Sequence, residues 1–111
     1  MTKLRILVTG SRTLTDTERV LGALRLYRNG EVTLVHGAAR GADSIAHDIA
    51  ESWGWKTEPY PAKDFSWPTV RNTHMVDLGA DVCVAFPTSD SRGTYDCARK
   101  AFNAGIKVVW A

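Results

Sequence analysis

VTLVHGAARGADSIAHDIAESWG, residues Val32 to Gly54, carries three signals in a row. Val32 to Val35 is a short apolar, β-rich run, the composition of a buried strand. His36 to Asp43 then brings in small residues, two glycines, Arg40 and Asp43. Ala42, Ile45, Ala46, Ile49, Ala50 and Trp53 follow at the spacing of one helix face, which Gly54 closes. A strand, a small-residue turn and a helix make half of a βαβ unit, so the neighbouring segments decide the fold.

They repeat it. Leu4 to Val8 is a strand that runs into Gly10-Ser11-Arg12. Thr15 with Glu18 forms a capping-box pattern ahead of Val20, Leu21, Leu24 and Tyr27, and Asn29-Gly30 stops that helix. Lys56 to Tyr60 is a weaker strand with Pro59 and Pro61 near its end, which suits a sheet edge. Pro68 suits a first helical turn, and Val70, His74, Met75 and Leu78 give that helix a face. Asp81 to Phe86 is an apolar strand, Thr94 to Asn103 a helix, and Ile106 to Trp110 the closing strand. Four β-α repeats and a last strand predict an α/β fold: a Rossmann-like, three-layer, doubly wound five-stranded parallel sheet in the order 3-2-1-4-5.

The chain has 111 residues, the size of one domain, expected to span 1–111. No apolar run is long enough for a membrane helix, and Met1 to Arg5 leads into a strand rather than a leader, so no membrane association and a cytoplasmic location are expected. Cys83 and Cys97 lie in apolar patterns and read as buried thiols. The three histidines and two cysteines lack metal-ligand spacing, so no metal is expected, and without a recognised nucleotide fingerprint after the first strand no cofactor is expected either. His36 reads as a partly buried, satisfied histidine and His47 as solvated. The formal charge of +2 is too small to announce nucleic acid as a partner.

In a sheet of this type ligands bind beyond the carboxyl ends of the strands, where the winding reverses between strands one and four. Each segment that follows strands one to four carries an arginine: Arg12, Arg40, Arg71 and Arg92. Glycines let the backbone come close to a ligand, and helix starts add partial positive charge. Together they predict an anion site, with Gly41 held open for a phosphate. Asp43 reads two ways, as a carboxylate serving the first turn of its own helix or as a ligand contact.

Gly10-Ser11-Arg12, His36-Gly37-Ala38-Ala39-Arg40-Gly41-Ala42-Asp43, Arg71-Asn72-x-x-Met75 and Arg92-Gly93-Thr94-x-Asp96 resemble the SLOG superfamily, which takes in DprA-like proteins and LOG-type phosphoribohydrolases. Within it the chain is similar to the small YspA/YpsA-related SLOG family of bacteria and phages, over nearly its whole length. The resemblance implies a sensor or carrier module for a nucleotide or nucleotide-derived phosphate ligand. It would be held by Gly10, Ser11, Arg12, His36, Gly37, Arg40, Gly41, Asp43, Asn72, Arg92, Gly93 and Thr94. It also admits a homodimer. An alternative is LOG-like cleavage of nucleoside monophosphates, with Arg71 holding phosphate and Asp96 stabilising the oxocarbenium-like sugar. Here Asn72 replaces the motif's lysine, and Cys97 stands where its glutamate would be. A second alternative is DprA-like single-stranded DNA binding, against which the near-neutral charge argues, so nucleic acid is not the expected partner.

Overall fold

The computed structural model describes residues 3–89 and 91–111; Met1, Thr2 and Asp90, which in sequence falls between the expected strand Asp81 to Phe86 and helix Thr94 to Asn103, lie outside it. The elements run β1 (Lys3–Gly10), α1 (Thr17–Leu24), β2 (Glu31–His36), α2 (Ala42–Ser52), β3 (Lys56–Pro59), α3 (Pro68–Asp77), β4 (Val82–Phe86), α4 (Arg92–Asn103) and β5 (Lys107–Trp110). All pairings are parallel and the order is β3-β2-β1-β4-β5, as the alternation predicts.

The central strands are apolar at nearly every position because both faces are covered. Successive side chains still alternate. Ile6, Val8, Leu34, Val84 and Phe86 enter one core with Val20 and Leu24 of α1 and Ala46, Ile49 and Ala50 of α2. Leu7, Val35 and Cys83 enter the other with Met75 and Val76 of α3 and Cys97 and Ala101 of α4. Both cysteines are free and buried.

Local boundaries differ from the sequence reading for identifiable reasons. The cap of α1 is Asp16, whose carboxylate accepts from the Arg19 amide, rather than Thr15. Asp81 stands outside β4 because its side chain accepts from the Arg5 amide. Helix α4 begins at Arg92, two residues before Thr94. The largest correction concerns α3. Val70 and Leu78 are exposed, as is His74, whose ring meets Tyr60 edge to face and lies tilted against Phe65. The buried face is Arg71, Asn72, Met75 and Val76, so two polar side chains point inward.

Candidate anion pocket at the carboxyl edge of the sheet

Strands β1 and β4 are neighbours whose chains leave in opposite directions, and a cavity of about 310 Å³ opens beyond their ends. Gly10, Ser11 and Arg12 form one side of it, Arg40 and Asp43 another. Asn72 with Arg71, and Arg92, Gly93 and Thr94, close the rest. The cavity thus gathers all four arginines that the sequence distributes over four segments. Arg12, Arg40 and Arg92 are exposed, and none makes an ion pair among the described residues. His36, Gly37, Gly41 and Asp96 are not in its wall.

The start of α4 faces this cavity without a side-chain cap among the described residues. Ser91 occupies the capping position but accepts instead from the Thr88 amide at 2.7 Å. Thr88 in turn donates to Ser11 Oγ at 2.8 Å, which ties the β1 and β4 loops together. The first-turn amides of a helix left in this way carry the positive end of its dipole and suit an anion. Ser91 and Thr88 escaped the sequence reading; a serine directly before a helix was the available signal, but its turning away from the helix was not.

The loop from His36 to Asp43 behaves differently. Its amides are already used. Asp43 Oδ2 accepts from Gly37 at 3.0 Å and from Ala39 at 3.4 Å, so the loop wraps around a carboxylate of its own chain. The Ala38 amide donates to His36 Nδ1, and the Ala42 amide to Ser11 O. Asp43 serves the preceding loop, not the cap of α2. Burial pushes its pKa up to about 6, against the pull of the two amides, Arg71 and Arg12. Gly41 also has a structural reason. Its φ is +74°, and a Cβ there would run into Ser11 O and lie 2.7 Å from the Arg12 carbonyl carbon. Its bareness lets two loops touch.

Arg71 is buried and spends its donors on the protein. It bonds Gly37 O at 2.6 Å, Tyr60 O at 3.3 Å and Asn72 Oδ1 at 3.0 Å, pinning the ends of β2 and β3 to α3. Burial lowers its pKa, against the attraction of Asp43. Asn72 bridges onward to Asp96 Oδ2 at 3.1 Å. Asp96 lies inside α4, not at its cap, and pairs with Lys100 at 2.9 Å and Arg99 at 3.1 Å. Partial burial works against it, but the bonds from Lys100 and Asn72 hold its carboxyl below the usual carboxylate range. Arg71 and Asp96 are thus linked through Asn72 without sharing a cavity.

His47 is not simply solvated. Its Nδ1 lies 2.9 Å from His36 Nε2, and its Nε2 pairs with Glu51. Because Ala38 donates to His36 Nδ1, the His36 proton belongs on Nε2 and is donated to His47. Burial, with His47 and Arg71 nearby, lowers the His36 pKa to about 4.

A sequence model of the YspA, cpYpsA-related SLOG family matches residues 4–65. The Gene 61 protein of Mycobacterium phage D29 is 41% identical over 121 aligned positions, covering 95% of this chain and 94% of that protein. Among solved structures, DNA processing protein A (DprA) from Streptococcus pneumoniae superposes with a TM-score of 0.77 at 20% identity. DprA from Helicobacter pylori, described for its unique single-stranded DNA binding mode, gives 0.66 at 18%. Each match covers 96% of this chain, but the chain spans only 50% and 64% of those two proteins; at these identities the likeness is one of fold. No helix is long and apolar enough to cross a membrane among the described residues. The chain belongs to the YspA, cpYpsA-related SLOG family.

Proposed function

We propose that the protein acts as one module that binds a nucleotide or nucleotide-derived phosphate ligand at the carboxyl edge of the sheet. One observation carries this reading: Arg12, Arg40 and Arg92 line the same cavity as the start of α4, which no described side chain caps. Guanidiniums and free helix amides are complementary to a phosphate, and Arg can grip it with two bonds. The phosphate belongs at Gly93 and Thr94, between Arg12 and Arg92, and away from the loop whose amides already hold Asp43. Binding without cleavage is favoured over N-glycosidic hydrolysis because Asp96 is outside the cavity and neutralised by Lys100 and Arg99. Calorimetric titration with nucleoside monophosphates tests this. Arg92→Ala and Arg12→Ala should each weaken binding about tenfold, the loss of one charge-assisted contact; affinities unchanged in both variants would refute it.

A second reading is single-stranded DNA binding. It draws on the fold shared with DprA and on a groove of about 640 Å³ along α4 and β5. Tyr95, Phe102 and Trp110 line that groove beside Arg92 and Arg99, and all three aromatics are exposed. Aromatic faces next to guanidiniums suit stacked bases and their phosphates. The small net charge of +2 argues against a long backbone track. Salt-dependent oligonucleotide binding that Trp110→Ala abolishes would favour this reading over the first.

A further inference from the structure

The cavity wall contains one carboxylate among the described residues, Asp43, and that carboxylate is only half satisfied. Oδ2 takes two amide hydrogens, whereas Oδ1 is buried and has no hydrogen-bond partner. Buried polar atoms are nearly always paired, so this orphaned acceptor, on a residue that lines the cavity, asks for a donor. A fully ionised phosphate oxygen only accepts, and would meet like charge.

Resting on the phosphate reading above, we infer that Asp43 recognises the sugar of the ligand, its Oδ1 accepting a hydrogen bond from a ribose hydroxyl while the arginines hold the 5′-phosphate. The chemistry of the wall selects this donor over others. Arg12, Arg40, Arg71 and Arg92 disfavour a cationic group. Among the described residues no aromatic side chain lines the cavity to stack a base. Its volume of about 310 Å³ is at the small end for ligand sites, the size for a pentose phosphate with the base directed outward. Burial raises the pKa of Asp43 to about 6, and the two amides, Arg71 and Arg12 only partly offset it.

The test compares AMP, 2′,3′-dideoxy-AMP and inorganic phosphate on the wild type and on Asp43→Asn, with thermal melts confirming that the variant folds. The wild type should bind AMP at least tenfold more tightly than the dideoxy compound. Asp43→Asn should shrink that ratio to threefold or less without weakening inorganic phosphate, since it removes a like charge from the wall. Equal binding of AMP and dideoxy-AMP by the wild type would overturn the inference even if the variant misfolds. So would undiminished discrimination in a folded variant. If all three probes fail to bind the wild type, the phosphate reading itself falls, and the sugar assignment with it.

Discussion

The guanidinium of Arg71 fills the space that a side chain at residue 37 would need: a Cβ on Gly37 would overlap Nη1 and lie 2.6 Å from Cζ. The same guanidinium bonds the Gly37 carbonyl at 2.6 Å. Gly37→Ala should therefore expel Arg71 from its three acceptors and destabilise the protein by about 2–4 kcal/mol, the range for breaking a buried polar network. Because both substitutions remove one interaction, Gly37→Ala added to Arg71→Ala should cost little more than Arg71→Ala alone. Denaturant melts of the four proteins measure the coupling. Additive losses would separate the two residues.

Gly41→Val should damage the fold before it damages binding. Its positive φ strains any side chain, and the obstruction is the backbone of Ser11 and Arg12, which cannot swing away. A loss of at least about 3 kcal/mol in an equilibrium melt is expected. A well-folded variant that merely loses ligand would restore the view of Gly41 as the anion's point of entry.

Two buried groups titrate against each other. Asp43 has its pKa raised to about 6, so its contribution is fully present below the unfolded value near 3.8 and is lost as pH rises through 6. His36 is lowered to about 4, so its contribution is present above 6.5 and is lost as pH falls towards 4. Each is on the order of 3 kcal/mol at about 1.4 kcal/mol per pKa unit, and they oppose over the same window. The wild type should show a nearly flat stability between pH 4 and 6.5. Asp43→Asn should lose stability on acidification, and His36→Asn should gain it. Urea melts at pH 4, 5, 6 and 7 check both signs; parallel profiles for the two variants would contradict the assignment.

Asp96→Asn probes the hydrolase alternative. With its carboxylate turned to Lys100, Arg99 and Asn72, the substitution should leave nucleotide affinity within about threefold. No base should be released from nucleoside monophosphates by either protein, as chromatography of the reaction mixture would record. Release by the wild type that Asp96→Asn abolishes would make Asp96 catalytic.

The sheet order and the grouping of Arg12, Arg40, Arg71 and Arg92 at one edge were legible because strand–helix alternation fixes which ends of the strands share an edge. The face of α3 was not. Apolar periodicity favoured Val70 and Leu78, but Arg71 and Asn72 turn inward because carbonyls of Gly37, Tyr60 and Gly93 and the Asp96 carboxylate await them. Such a face is decided by partners distant in sequence. The same is true of Asp43, whose amide partners lie back in the loop before its helix, and of His47, whose bond to His36 spans a turn that no periodicity describes.

The central claim is that phosphate sits at the start of α4 and not in the loop around Asp43. Backbone amide shifts of the isotope-labelled protein, followed by two-dimensional NMR during titration with AMP, test it directly. The account predicts saturable shifts concentrated at Arg92, Gly93 and Thr94, with smaller changes at Ser11 and Arg12. Shifts dominated by Gly37 and Ala39, whose amides would first have to leave the Asp43 carboxylate, would contradict it.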